Sequence, residues 1–231
     1  MTDKINETNL ENLDEVQQKN NAAFDDGGFA DKFFADDSEY KDETVENIRD
    51  LGPLTDDEKI DPEEAKANKA AYRQKLLDTY KKIFEMETFE DDETGLIAKA
   101  HYSERTVKGK FSFMQSERHE YVYIYDVDKL DVDKFAEASH YSWENGIETI
   151  EPAKGYLSSF ITVVILADEI EDDALFLINK HRMLKNLKRQ KMGIVNQRIC
   201  GVDFSTETSY CNKDSKELGA FLQKFFNVAS K

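Results

Sequence analysis

Carboxylate side chains follow three separate apolar segments of the chain. If these segments form neighbouring parallel strands, their C-terminal ends bring the carboxylates to one edge of a sheet, where open α/β sheets bind ligands. Carboxylate oxygens there could hold Mg²⁺ against a substrate phosphate. One hypothesis is therefore a divalent-metal-dependent phosphate hydrolase. Its catalytic residues would be Asp126, Asp128, Asp168 and Glu169, and its Mg²⁺ ligands Asp126, Asp128, Asp168 and Asp203.

The first of these segments ends in Tyr125-Asp126-Val127-Asp128, which resembles the nucleophile strand of haloacid-dehalogenase-like phosphatases. It departs from that pattern at Lys129-Leu130, where the family has a small hydroxyl-bearing residue, and no partner motifs follow. Acidic residues at strand-to-helix junctions also cap helices and complement the positive N-terminal end of the helix dipole. Capping is the interpretation we favour, and it predicts neither metal nor cofactor.

A second charged feature is basic and stands near the end of a helix predicted at about residues 172–190, whose buried side would carry Leu177, Leu184 and Leu187. Such a surface could meet phosphates, anionic lipid or an acidic peptide. Cations near a helix C-terminus are also favoured by the helix dipole alone. A crossover helix runs antiparallel to its strands, so this end should lie opposite the carboxylates. The candidate binding residues are Lys180, Arg182, Lys185, Lys188, Arg189 and Lys191.

Other motifs are scarce. The four histidines show no metal-ligand spacing, and the chain has no Gly-rich phosphate loop or nucleophile elbow. Cys200 and Cys211 lie at equal distances from a predicted turn at Ser205-Thr206, so they should face each other across a hairpin as free thiols. Alternating aromatic residues could stack nucleic acid bases, but core packing is favoured because the chain is acidic. They are Phe111, Phe113, Tyr121, Tyr123 and Tyr125.

The elements that position these residues follow from the apolar pattern. Asp61, Pro62 and Glu64 predict the start of a helix that runs to about residue 87. A meander at 96–106, 110–114 and 120–127 should follow, then a helix at 132–145, a buried strand at 160–167, the helix at 172–190 and a strand at 194–204. A hairpin strand at 208–211 and a helix at 215–226 complete the pattern. The prediction is an α/β (or α+β) domain, a mixed sheet with an antiparallel meander followed by two βαβ units and helices on its faces.

The first 60 residues differ in composition from the remainder. Residues 1–61 carry 19 Asp and Glu against 6 Lys and Arg, so they hold −13 of the chain's net charge of −17. Such a block buries little apolar surface, which predicts an acidic, flexible tail at 1–60 and a single domain at 61–231. Aromatic residues among its carboxylates could dock on a partner or mask the basic helix.

Composition also bounds the function. Two cysteines and the lack of an apolar signal region after Met1 predict a cytoplasmic protein, and the longest apolar run, 160–167, is too short to span a bilayer. The preferred function is a non-catalytic interaction or regulatory protein that binds another macromolecule. Acidity favours another protein over nucleic acid as that partner.

Overall fold

A computed structural model describes residues 60–90, 93–107, 115–151, 156–187 and 193–229. Residues 1–59 of the predicted tail at 1–60 lie outside the described residues. So do the predicted strand at 110–114, with Phe111 and Phe113, and the candidate binding residues Lys188, Arg189 and Lys191. Within the described ranges, the chain forms a mixed sheet of seven strands and four α-helices. The predicted α/β class is confirmed.

The described elements follow one another from helix α1 (Pro62–Lys81) through strands β1 (Glu85–Thr88), β2 (Leu96–Val107) and β3 (Gln115–Leu130). Helix α2 (Val132–Thr149), strand β4 (Tyr156–Ile170) and helix α3 (Asp172–Lys180) come next. The chain continues with strands β5 (Leu184–Asn186), β6 (Ile194–Asp203) and β7 (Thr208–Cys211) and ends in helix α4 (Lys216–Ala229).

The sheet has the strand order β1-β2-β3-β4-β6-β5, and β7 also pairs with β6. β1, β2 and β3 are antiparallel neighbours, whereas β3, β4 and β6 are parallel. Helices α2 and α3 are the crossovers of the two predicted βαβ units. Because both crossovers return the chain to the same end of the sheet, the three parallel strands end at a common edge.

Helices cover both faces of the sheet. The side chains of Tyr123 and Tyr125 contact α2, where their hydroxyls bond to Asn145 and Ser142. On the opposite face, the hydroxyl of Tyr72 in α1 donates to Leu222 O in α4. The core therefore has two apolar layers, because alternate residues of the buried strands point to opposite faces.

Two helix boundaries were predicted wrongly. α1 begins as expected, with the Asp61 carboxylate accepting from the N–H groups of Glu63 and Glu64 at 2.9 and 3.4 Å, but it ends at Lys81 rather than near residue 87. The next residues turn and form β1 beside β2. α3 ends at Lys180 rather than near residue 190, and β5 follows it. In both places an open strand edge pairs with residues whose spacing had suggested helix.

None of the described helices is both long enough and apolar enough to cross a bilayer.

Candidate functional site

Lys69 is the centre of a charged cluster between α1 and the ends of β3 and β4. Its Nζ lies 2.7 Å from Asp126 Oδ1 and 2.8 Å from Asp168 Oδ1, and it donates to Val127 O at 2.7 Å. Only 8% of its side chain is exposed. An ammonium group has three N–H donors, so these three acceptors satisfy it completely.

The local sequence explains why this lysine is buried. Ala65, Tyr72 and Leu76 are buried on the side of α1 that faces the sheet, and Lys69 occupies the same stripe at helical spacing. A lysine at an apolar position of such a stripe is a signal in the sequence, but Lys69 is not among the predicted site residues. The long aliphatic stem fills the core position while the ammonium reaches the carboxylates.

A cavity of about 510 Å³ opens beside this cluster. Arg73 stands at its wall and holds Asp126 Oδ2 at 2.9 Å from its Nη1. The charged side chains that line the cavity balance in sign, three basic and three acidic. They are Lys66, Lys69, Arg73, Asp126, Asp128 and Asp168.

The predicted carboxylates thus converge only in part. Asp126, Asp128 and Asp168 line one cavity, as the parallel topology requires. Asp203 does not line this cavity. Its carboxylate accepts hydrogen bonds from Ser205 N at 2.9 Å, Ser205 Oγ at 2.7 Å and Ile170 N at 3.3 Å. Burial raises the pKa of Asp203, whereas the hydrogen bonds from Ser205 oppose that shift. Asp203 therefore closes the turn after β6.

Lys69 bears directly on whether these carboxylates can hold Mg²⁺. Its ammonium stands between Asp126 and Asp168, the position that a bridging cation would take. Together with Arg73 it balances both negative charges, so a divalent ion would have to displace Lys69 from three acceptors. Among the described residues, no three His, Cys, Asp or Glu side chains are arranged to hold a metal ion. The cluster has the form of a clamp that ties α1 to the sheet.

The basic segment differs from its predicted form. Lys180 is the last residue of α3, Arg182 lies in the connection that follows, and Lys185 lies in β5, so these three cations do not share a helix face. Leu184, predicted on a buried side, is 47% exposed. β5 pairs with Ile194–Asn196 at the start of β6, whereas Asp126 and Asp168 lie near the ends of β3 and β4.

Two histidines that are distant in sequence meet on neighbouring strands. His101 Nε2 and His119 Nδ1 are 3.1 Å apart, and the planes of the two rings differ by 5°. Burial lowers the pKa of both imidazoles; the neighbouring His119 lowers that of His101 further, while Glu117 opposes the shift at His119. No short-range spacing in the sequence predicts this histidine pair, because only the β2–β3 register brings the two rings together.

The structure describes three of the five alternating aromatic residues that were considered for base stacking. Tyr121, Tyr123 and Tyr125 are all buried in the core, which agrees with the packing interpretation. Burial raises the pKa of the Tyr123 hydroxyl, which donates to Asn145 Oδ1 at 3.1 Å. These rings are therefore covered by protein and do not present a stacking surface.

Comparison with known proteins adds one relationship. No curated protein and no solved structure matches the chain. A family model described as a domain of unknown function, DUF8052, matches residues 68–224. The matched range begins one residue before Lys69 and extends into α4, so it contains the clamp, the sheet and both crossovers. The chain belongs to this domain family, DUF8052.

Proposed function

We propose that this domain is a non-catalytic interaction module that binds another protein, by accepting an extended, acidic and apolar segment along the outer edge of β5. The observation that supports it is the exposure of β5. All three of its residues are exposed, and among the described strands it pairs only with β6. An exposed strand edge binds extended peptides by adding them as a further strand.

The hydrogen bonds of β5 identify the backbone groups that would serve this purpose. Gln197 N donates to Met183 O, and Leu187 N donates to Gly193 O, both at 2.9 Å. Residues that bond to the partner strand alternate with residues that do not. Residues 183, 185 and 187 therefore face β6, while the N–H and C=O groups of Leu184 and Asn186 point outwards.

The side chains nearby suggest what the partner would carry. Phe176 in α3 is 60% exposed and Leu184 in β5 is 47% exposed, so the α3–β5 segment presents two apolar side chains to solvent. Lys180 Nζ lies 5.9 Å from the centre of the Phe176 ring, and Arg182 and Lys185 are exposed. In a chain of net charge −17, this local excess of cations would attract an acidic segment.

The contacts of Lys69 support this proposal over the phosphate hydrolase. Two of the four carboxylates that the hydrolase would use for Mg²⁺, Asp126 and Asp168, bind an internal ammonium instead. Nucleic acid is the weaker candidate for the β5 surface, because an exposed strand edge offers backbone N–H and C=O groups that pair with the backbone of an extended peptide. Two cysteines in 231 residues are too few for a disulfide framework, which supports a reducing, cytoplasmic location.

A labelled peptide that alternates Glu with Val tests the proposal by fluorescence anisotropy. Replacing Asn186 with Pro removes an outward N–H without touching the bonds to β6, and Asn186→Ala is the matched control that keeps this donor. Since one hydrogen bond contributes about 1 kcal/mol, Asn186→Pro should weaken binding about fivefold relative to Asn186→Ala. Lys185→Glu should weaken binding further and reduce its dependence on salt.

Three outcomes would contradict the proposal. The peptide could fail to bind the wild-type domain, a peptide with Lys in place of Glu could bind equally well, or Asn186→Pro and Asn186→Ala could bind alike. Tighter binding of oligothymidylate than of the peptide, lost in Lys185→Glu, would show a nucleic acid surface instead. Circular dichroism of each variant establishes that the fold is retained.

A further inference from the structure

The two cysteines of the chain are direct partners across the β6–β7 hairpin. Cys200 and Cys211 are paired in the antiparallel register. The neighbouring pair, Ile199 and Asn212, is joined by hydrogen bonds: Asn212 N donates to Ile199 O at 3.1 Å, and Ile199 N donates to Asn212 Oδ1 at 3.3 Å. Because bonded and non-bonded pairs alternate, Cys200 and Cys211 form a non-hydrogen-bonded pair.

This position suits a disulfide. Cα atoms of a non-hydrogen-bonded antiparallel pair lie about 4.5 Å apart, and disulfides join Cα atoms about 4.4–6.8 Å apart. The side chains of such a pair are also closer together than those of a bonded pair. Both thiols are free in the structure, so the pair is present in its reduced form.

The environments of the two thiols differ in a way that assigns them different roles. Cys200 is fully buried, and burial raises its pKa well above the usual value. Cys211 is half-buried, and the hydrogen bond from the Cys200 thiol lowers its pKa, as does the nearby Lys216. Cys211 is thus the more accessible thiol and the one more readily ionised, which makes it the better nucleophile.

We propose that Cys200 and Cys211 are an oxidation site for peroxides, at which Cys211 reacts first and Cys200 resolves the product into an intramolecular disulfide. The Cys211 thiolate attacks one peroxide oxygen, the O–O bond breaks, and hydroxide leaves and takes up a proton to become water. The resulting sulfenic acid is attacked by the Cys200 sulfur, which forms the S–S bond and releases the second water. Two thiols and one hydrogen peroxide give one disulfide and two waters.

Packing around the site restricts what can reach it. Gly219 of α4 lies against Cys211, so that a Cβ at position 219 would come 2.7 Å from the Cys211 sulfur. This close approach excludes a bulky oxidant from the α4 side of the sulfur. It also means that the sulfur can move towards Cys200 more easily than towards α4. The site is separate from β5 and from the Lys69 clamp.

Hydrogen peroxide treatment of the whole protein, followed by alkylation and peptide mass mapping, tests this inference. The expected result is loss of both free thiols, with one disulfide joining the peptides of Cys200 and Cys211 within a single chain, and recovery of both thiols with a dithiol reductant. The Cys200→Ser variant should accumulate sulfenic acid at Cys211, which dimedone traps. The Cys211→Ser variant should react with peroxide at least about tenfold more slowly, because a buried protonated thiol is a poor nucleophile.

Three results would each overturn the inference. They are an intermolecular disulfide as the main product, over-oxidation of wild-type Cys211 without a disulfide, and equal rates of reaction with peroxide for the two variants. Mass mapping of the wild-type protein remains decisive even if a serine variant fails to fold.

Discussion

Lys69 and Asp168 are joined by an ion pair of 2.8 Å between Nζ and Oδ1, although 99 residues separate them in the chain. This contact links α1 to the end of β4, and the contact of Lys69 with Asp126 links it to β3. The same ammonium thereby ties one helix to two parallel strands, and together with Arg73 it balances the charges of the two carboxylates that made a metal site conceivable.

The clamp should contribute strongly to stability. Lys69→Met keeps the aliphatic stem but leaves Asp126 and Asp168 without their ammonium partner, so the free energy of unfolding should fall by about 3 kcal/mol. Urea denaturation measures this change. Lys66→Met, at an exposed position of the same helix, is the matched control and should change stability by less than about 0.5 kcal/mol. Equal effects of the two substitutions would show that the clamp is not stabilising.

Removal of Lys69 should also uncover a cation site. In the wild-type protein we expect Mg²⁺ to leave the melting temperature unchanged, because the ammonium occupies the position between the carboxylates. In Lys69→Met, Mg²⁺ should raise the melting temperature, since a divalent ion can replace the lost charge. The double variant Lys69→Met with Asp126→Asn should lose this response. Saturable Mg²⁺ binding to the wild-type protein by calorimetry would instead support the phosphate hydrolase.

The histidine pair should make stability depend on pH. Burial lowers the pKa of His119 below its usual value of 6.5, so the folded state binds fewer protons than the unfolded state. The stability associated with the neutral ring is present above that value and lost as the pH falls through the lowered pKa. Wild-type protein should therefore lose more stability than His119→Gln between about pH 7 and pH 5.

Proton NMR of the imidazole signals checks the cause of this difference directly. The midpoint of His119 should lie below 6.5, whereas a midpoint at or above that value would contradict the prediction. The raised pKa values of buried Glu120 and Asp203 act in the opposite sense, but they are common to both proteins and cancel in the comparison.

Close packing of α2 on the sheet predicts a steric effect at Gly146. A Cβ at this position would come 2.6 Å from Ile161 Cδ1 and 2.8 Å from Ile161 Cγ1. Gly146→Ala should therefore destabilise the fold by about 1–2 kcal/mol, despite the better helix propensity of alanine. Ile161→Val removes Cδ1, so the double variant should recover part of the loss. Thermal unfolding of all four proteins measures the coupling, and strictly additive effects would refute it.

Local patterns predicted much of the fold. The buried run at 160–167 and the helical spacing around it require covered parallel strands, and β3, β4 and β6 are parallel neighbours. Asp61 caps α1 because a capping contact involves only residues close in the chain. The pairing of Cys200 with Cys211 was also accessible, because a tight hairpin sets its own register. Each of these features depends on interactions within a short stretch of sequence or on one apolar period.

The remaining features depend on tertiary structure. β1 and β5 have four and three residues, too few to show an alternation of apolar and polar side chains. Each forms because a neighbouring strand offers an unpaired edge. The His101–His119 pair depends on the β2–β3 register. The partner of Asp126 and Asp168 is a lysine on a helix far away in the chain, and only the docking of α1 brings it there. Sequence by itself placed Asp126 and Asp168 at the ends of parallel strands. Tertiary structure decided that an internal ammonium holds them, because a charge buried by packing must be compensated by the groups that the fold places beside it.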